Sequence, residues 1–218
     1  MNDALTDLRE NGEIPWGWIV DETRSMEDYT GFSTIQEGAL TYLEHVRLSP
    51  WNGEKIPFVL TESRSLAGVL RGVCQQYGVR IAPTNGQCGG FLHTEVAPTL
   101  KAGQSVLYLG DFDLCGNDIE SNTRRVLERE AGKLDWERLA LSEEQVSRYD
   151  LPRITKNDRR FKNGRGIHQA VETEALSQRI IVDILHERLE QMLPEALENV
   201  EERAEEQRAM IRQRIEMG

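Results

Sequence analysis

The chain of 218 residues carries a formal net charge of −11, with 39% hydrophobic and 29% charged residues. This composition fits a globular domain with an appendage, and the negative charge argues against a broad nucleic-acid-binding surface. No stretch approaches the roughly 20 apolar residues of a membrane span, and the acidic start lacks the layout of a signal peptide. The three cysteines are widely spaced without a CxxC pair, which favours a reducing cytoplasm over a disulfide framework or a zinc site.

Residues 1–54 are predicted to form an N-terminal appendage of helical and irregular character. A turn-rich joint at residues 51–57 leads from it into the main domain. The apolar side chains expected to pack against the main domain are Ile14, Trp16, Trp18 and Ile19.

The first predicted core strand is an apolar run at residues 57–61 that ends in Glu62. Residues 63–77 then repeat apolar side chains at i, i+3, i+4 and i+7, which predicts a helix. Ser63 or Ser65 is expected to cap its start. A strand-like segment at 79–83 and a helix-like stretch at 94–100 follow.

The most informative stretch is the apolar run 106–109, which leads into Asp111 and Asp113. Such a run reads as a buried parallel strand, and open α/β sheets place their sites at the carboxyl ends of strands. Residues i and i+2 of an extended chain share a face, so both carboxylates can point at one spot. Right-handed crossovers bring Glu62 to the same edge. Three carboxylates supply hard oxygen ligands, which favour Mg²⁺ over zinc or copper. For the Asp-x-Asp alone, the alternative interpretation is a solvated turn after a core strand.

Further elements follow the Asp-x-Asp. A helix at 118–129 with Asn117 as its N-cap is predicted, then a strand at 136–140. Ser142 and Gln145 fit a capping box that opens the next helix. Two further helical segments are predicted, an amphipathic one at 173–193 and a charged tail at 194–218.

Residues 153–165 form a basic segment in an otherwise acidic chain. Its glycine and the preceding proline predict a loop that becomes ordered on binding, with phosphate contacts that position a DNA strand over the metals. The alternative is a solvated surface turn without a ligand. The candidate nucleic-acid-binding residues are Lys156, Arg159, Arg160, Lys162 and Arg165.

These motifs, in this order, resemble a toprim domain, the metal-binding catalytic fold of topoisomerases, primases and certain nucleases. The stretch 110–119 is particularly similar to the topoisomerase VI A-subunit family, as are 139–152 and 171–176. The resemblance covers about residues 55 to 190. It implies a Rossmann-like toprim domain with a C-terminal helical element at 55–193. The family-like residues that would line or orient the cleft are Lys156, Asp158, Arg160, Glu172 and Glu174.

The resemblance implies that Glu62, Asp111 and Asp113 are the catalytic and metal-binding residues, with Mg²⁺, or alternatively Mn²⁺, as the cofactor. Asp111 and Asp113 would hold the metal, and Glu62 would be a further ligand or a general acid/base. The implied function is cleavage of DNA phosphodiester bonds by a nuclease or a topoisomerase-like subunit. Topoisomerase VI A-type chains are dimers, so the resemblance also points to a homodimer.

The chain also departs from the topoisomerase pattern. Those relatives carry a winged-helix domain whose tyrosine attacks DNA, and here Leu5–Val20 resembles only the exit from such a domain. Tyr29 and Tyr42 do not match the context of that nucleophile. A partner protein with a winged helix or an ATPase would then supply the missing parts. The other expectation is metal-assisted hydrolysis, for which toprim nuclease subunits of plasmid-defence systems are a precedent.

Two rival functions remain from the sequence. A haloacid-dehalogenase-type phosphatase also carries a strand that ends in Asp-x-Asp, but there the pair lies on the first core strand and precedes a Thr or Val. Here Leu114 stands at that position, and the strand of Glu62 comes earlier. The other rival is a toprim-like module that binds DNA or a partner without cutting.

Overall fold

The computed structural model describes residues 2–15, 26, 28–86, 89–157 and 167–217. Two compact units divide the chain, Met1–Thr41 and Tyr42–Gly218. Helix α1 (Asn2–Glu10) lies in the first unit, and α2 (Ile35–His45) spans the division. None of the helices in the described ranges is both long and apolar enough to cross a bilayer. The predicted packing of Trp16, Trp18 and Ile19 falls outside the described residues.

The second unit is built on a parallel sheet with the strand order β2-β1-β3-β4. Its strands are β1 (Phe58–Thr61), β2 (Arg80–Pro83), β3 (Ser105–Leu109) and β4 (Asp135–Ala140). Thr61 pairs with Leu109, so the residues that follow β1 and β3 leave the sheet at the same level. The predicted α/β class with a parallel, Rossmann-like sheet is confirmed.

Helices cover both faces of this sheet because successive strand residues point to opposite sides. Val59 and Leu107 belong to a core shared with α3 (Arg64–Tyr77) and α7 (Gln178–Met192). The alternate strand residues, including Leu60 and Tyr108, belong to a second core shared with α5 (Leu114–Ala131). The remaining helices are α4 (Gly89–Phe91), α6 (Glu143–Arg148) and α8 (Leu197–Met217).

The helix starts confirm some local predictions and correct others. Ser63 caps α3, and Ser142 with Gln145 forms the predicted capping box of α6. The stretch predicted as one helix at 94–100 is instead a π-helical turn, Leu92–Val96, followed by a 3-10 turn, Ala97–Thr99. A proline at the start of the 3-10 turn lacks the N–H that would continue a regular ladder.

Two predicted helix boundaries are wrong. The helix after Asp-x-Asp begins at Leu114, and Asp113 rather than Asn117 caps it. The helix predicted to begin at Thr173 begins at Gln178, because Thr173–Ala175 forms a separate 3-10 turn and Ser177 caps the helix. The charged tail is helical, as predicted, and it packs through its buried residues Val200 and Ala204.

A small antiparallel sheet lies next to the Asp-x-Asp. Strands β5 (Ile154–Asn157) and β6 (Ile167–Ala170) flank residues 158–166, which lie outside the described part of the chain. Phe112 and Val171 exchange two backbone hydrogen bonds, of 2.9 and 3.0 Å. The basic segment predicted as a loop therefore begins as a strand, and the chain after β6 is tied to the Asp-x-Asp itself.

Candidate functional site

Glu62 and Asp111 meet at the carboxyl edge of the sheet, where β1 and β3 end side by side. The N–H of Glu62 donates to the Leu109 carbonyl at 2.9 Å, so strand pairing continues as far as the acid. The N–H of Asp111 then donates to Glu62 Oε2 at 2.9 Å. This hydrogen bond brings the carboxylate that follows β1 against the backbone that follows β3.

The turn before α7 orients the Asp111 carboxylate. Both the backbone N–H and the hydroxyl of Thr173 donate to Asp111 Oδ1, at 2.9 and 3.1 Å. Two donors on one oxygen fix the rotation of the carboxylate and leave Oδ2 as its second acceptor. Thr173 is 62 residues from Asp111 in sequence, and the sequence analysis did not identify it as part of the site.

Asp113 has a structural role as well as a place in the site. Its Oδ1 accepts the backbone N–H of Gly116 at 2.6 Å, which is the N-cap of α5. Its Oδ2 accepts a hydrogen bond from Lys156 Nζ at 2.9 Å. The Asp113 side chain is only 3% exposed, so both of its oxygens are used inside the protein.

The ammonium of Lys156 lies within a group of three carboxylates. Besides its contact with Asp113, Nζ is 3.3 Å from Glu172 Oε1 and 3.9 Å from Asp111 Oδ2. Lys156 thus connects β5 to both acids of the Asp-x-Asp. The convergence predicted for Asp111 and Asp113 is realised around this cation.

Burial affects the acids of the site unequally. Removal from water raises the pKa of Glu62 to about 7, with the charges of Asp111 and Asp113 acting in the same direction. Burial also raises the pKa of Asp111, although the Thr173 hydrogen bonds and Lys156 oppose the change. Glu62 is therefore the acid whose charge is least favoured by its surroundings.

Asp113 and Lys156 shift in the directions expected of a paired acid and base. Burial favours the neutral form of Asp113, but the hydrogen bonds from Lys156 and the Gly116 N–H outweigh it and lower the pKa. Burial likewise opposes the charge on Lys156, yet its contacts with Asp113 and Glu172 raise the pKa. Both groups are therefore charged at neutral pH.

Two glycines allow the backbone and the Glu62 carboxylate to approach so closely. A Cβ on Gly110 would lie 2.7 Å from the Tyr108 ring and 2.9 Å from Glu62 Oε2. A Cβ on Gly116 would lie 2.5 Å from the Asp111 carbonyl oxygen. Residues at these two positions must lack a side chain if Glu62 is to reach the Asp111 N–H.

Arg138, on β4, binds backbone carbonyl groups next to the Asp-x-Asp. Its guanidinium donates to the carbonyl oxygens of Leu141 at 2.7 Å and Gly110 at 3.2 Å. Glu120 of α5 holds the same guanidinium with an ion pair of 2.7 Å. The sequence analysis did not identify Arg138, because an arginine on an edge strand has no local pattern that distinguishes it from a solvated one.

An open cleft of about 530 Å³ lies in front of Glu62 and Asp111. Glu174 stands on its wall and accepts hydrogen bonds from the hydroxyls of Ser63 at 2.8 Å and Ser65 at 2.9 Å. These bonds fix the turn before α7 to the start of α3. The residues that line the cleft are Glu62, Ser63, Leu66, Asn85, Gly86, Asp111, Glu172, Thr173 and Glu174.

The predicted nucleic-acid-binding residues are only partly described. Lys156 lies on β5 and contacts the acids, whereas Arg159, Arg160, Lys162 and Arg165 lie outside the described residues, as does Asp158. These four arginines and lysines remain predictions from the sequence.

The carboxylates suit a hard divalent cation in their chemistry, since oxygen is the ligand that Mg²⁺ prefers. Glu62, Asp111 and Asp113 each use one oxygen for a backbone N–H, and the second oxygen of Asp113 already accepts a hydrogen bond from Lys156. Within the ranges that the structure describes, no three His, Cys, Asp or Glu side chains are grouped to hold a metal ion. The carboxylates are spaced around the Lys156 ammonium instead.

Comparisons of this chain with family models, curated proteins and solved structures found no match.

The glycine at position 116 gives the first testable prediction. Alanine inside a helix is normally more stable than glycine by about 0.5–1 kcal/mol. We expect Gly116→Ala to be destabilising instead, by about 1–3 kcal/mol, because its Cβ overlaps the Asp111 carbonyl. The matched control is Gly72→Ala in α3, where no atom lies within 4 Å of the added Cβ and a gain is expected. Urea denaturation measures both, and a stabilised Gly116→Ala would contradict the close approach.

Glu62 gives a second prediction, on the pH dependence of stability in the presence of a chelator. Because burial raises the pKa of Glu62 from 4.5 to about 7, the folded protein holds this proton more tightly than the unfolded chain does. The contribution of Glu62 to stability is therefore lost as the pH rises across that window. The side chain of Glu62→Gln stays neutral at every pH. The melting temperature of this variant minus that of the wild type should therefore increase as the pH rises from 4.5 to about 7. A difference that does not change with pH would show that Glu62 titrates normally.

Proposed function

We propose that this chain is a metal-dependent toprim protein that acts on DNA phosphodiester bonds, as a nuclease or a topoisomerase-like cleavage subunit. The observation that carries the proposal is the position of Glu62 and the Asp-x-Asp at the ends of two neighbouring parallel strands. The hydrogen bond of 2.9 Å from the Asp111 N–H to Glu62 joins them. This is the arrangement that the toprim resemblance implies.

The residues divide the work in the following way. Asp111 and Asp113 would hold Mg²⁺ or Mn²⁺, with Glu62 as a further ligand or as the group that accepts or donates a proton at the attacking or leaving oxygen. When bound, the metal neutralises phosphate charge and orients the scissile group. Thr173 fixes the Asp111 carboxylate, and Gly116 fixes that of Asp113.

The basic segment would position the DNA. Its described start is β5, which carries Lys156 to the acids, and the chain after β6 pairs with Phe112 of the Asp-x-Asp. Residues 158–166 are therefore bounded on both sides by strands attached to the site. Phosphate contacts from Arg159, Arg160, Lys162 and Arg165 would hold a strand next to the scissile position.

We also infer that the protein works in the cytoplasm, since its three cysteines are widely spaced without a CxxC pair. A homodimer, or a partner that supplies a winged helix or an ATPase, is part of the proposal for a topoisomerase-like subunit. A hydrolytic nuclease would need neither for its chemistry.

One observation favours a second candidate, a toprim-like module that binds DNA or a partner without cutting it. Lys156 lies within hydrogen-bond distance of Asp113 and near Asp111, so the acids are neutralised in part without a metal. A site that serves only as structure would keep such an ion pair. The assay described next separates the two candidates.

The test is cleavage of supercoiled plasmid by the purified protein with Mg²⁺ or Mn²⁺. We expect the wild type to nick or linearise the plasmid. Asp111→Asn should lower the cleavage rate by at least about 100-fold, because losing a metal ligand should reduce activity at least as much as losing a residue that orients a ligand. Asp135→Asn is the matched control, since Asp135 starts β4 at the opposite edge of the sheet.

Equal cutting by the wild type and Asp111→Asn would contradict the proposed site. DNA binding without cutting by the wild type would support the non-catalytic module or a subunit that depends on a partner. Turnover of an aryl phosphate that Asp111→Asn abolishes would indicate a phosphatase instead.

A further inference from the structure

The Lys156 ammonium is the cation that lies against both acids of the Asp-x-Asp. Its Nζ lies 2.9 Å from Asp113 Oδ2, 3.3 Å from Glu172 Oε1 and 3.9 Å from Asp111 Oδ2. Two of these oxygens belong to the Asp-x-Asp, and the third belongs to Glu172, which follows β6. The ammonium is the group that they share.

An ammonium and a divalent cation that share Asp113 Oδ2 would repel each other. Mg²⁺ binds carboxylate oxygens at roughly 2.0–2.1 Å, so a metal on this oxygen would lie at most about 5 Å from Nζ if Lys156 stayed in place. Like charges at that distance repel each other strongly, even at the effective dielectric constant of a protein surface. Each cation therefore weakens the binding of the other.

The geometry allows Lys156 to leave without disturbing the core. Its side chain is 33% exposed, and β5 belongs to the small sheet rather than to the four-stranded one. Asp113, by contrast, is buried and fixed as the cap of α5, so it cannot follow the lysine outward. Glu172, at 51% exposure, is the member of the group best able to move with the lysine.

Arg138 does not compete for the same oxygens. Its guanidinium is bound to Glu120 and to the carbonyl oxygens of Gly110 and Leu141. If Lys156 leaves, the described contacts give Arg138 no route to the Asp113 carboxylate. Departure of Lys156 would therefore remove the ammonium from Asp113 without Arg138 taking its place, although His168 of β6 also lies close enough for its charge to act on Asp113.

We propose that Lys156 is a tethered cation that keeps the acids together in the metal-free protein and competes with the divalent metal for Asp113. The inference rests on the proposed metal site and adds a regulatory contact to it. Its consequence is that the free protein binds metal weakly. Any event that draws Lys156 away, such as contact with a phosphate group, strengthens metal binding.

The first test measures Mn²⁺ binding by isothermal calorimetry, without DNA and without any activity readout. Lys156→Met is expected to bind Mn²⁺ at least about tenfold more tightly than the wild type, because one unit of repelling charge is removed. Lys156→Arg keeps the charge and should remain close to the wild type. Lys101→Met is the matched control, as Lys101 is exposed and precedes β3 at the opposite edge of the sheet.

The outcomes separate this inference from the proposed function. Equal Mn²⁺ dissociation constants for the wild type and Lys156→Met would overturn the competition while leaving the metal site intact. Absence of Mn²⁺ binding in both proteins would overturn the metal site, and the inference with it.

A second measurement uses the wild type alone and does not depend on whether Lys156→Met folds. Mass spectrometry would follow the rate at which an acylating reagent labels each lysine, with and without Mn²⁺. Labelling of Lys156 should become several-fold faster when Mn²⁺ binds, while labelling of Lys101 should not change. If Mn²⁺ binds and Lys156 stays as protected as before, the ammonium does not leave and the proposal is wrong.

Discussion

The hydrogen bond from the Asp111 N–H to Glu62 joins the two strands that carry the acids, and much of the surrounding structure makes it possible. It requires β1 and β3 to end at the same level, which their parallel register provides. It also requires positions 110 and 116 to lack side chains, since a Cβ at either would overlap its neighbours. Arg138 then holds the turn from the other side through the carbonyl oxygens of Gly110 and Leu141.

Closely placed carboxylates are unfavourable unless hydrogen bonds or cations stabilise their charge. The chain meets this requirement differently at each acid. Asp113 accepts hydrogen bonds from the N-terminus of α5 and from the Lys156 ammonium, and these lower its pKa. Glu62 is buried and accepts one backbone N–H, so its pKa rises to about 7. A divalent cation would change this balance most at Glu62, where the charge is least compensated. The uneven stabilisation is therefore consistent with a site that is completed by a cation.

The sequence predicted the parts of the site that depend on local patterns. Apolar runs that end in acids identified β1 and β3, and the Ser63 cap followed from its position before an amphipathic segment. The contacts of Asp111 with Thr173 and of Asp113 with Lys156 could not be predicted, because they join residues 62 and 43 positions apart. Asn117 was the predicted helix cap, but the helix begins earlier and Asp113 caps it. One oxygen of Asp113 caps the helix, and the other accepts a hydrogen bond from Lys156.

Under the proposed function, the small sheet would link the nucleic acid to the metal site. Lys156 lies on β5, before residues 158–166 in the sequence, and donates to Asp113. Thr173 follows β6, after those residues, and donates to Asp111. If phosphate contacts on the basic segment draw Lys156 from Asp113, they must raise the affinity for the metal, and linkage requires the metal to raise the affinity for the phosphate equally. Thr173 would keep Asp111 oriented during this exchange, because its bonds to Oδ1 do not involve the lysine. Metal and nucleic acid would then bind cooperatively without any rearrangement of the four-stranded sheet.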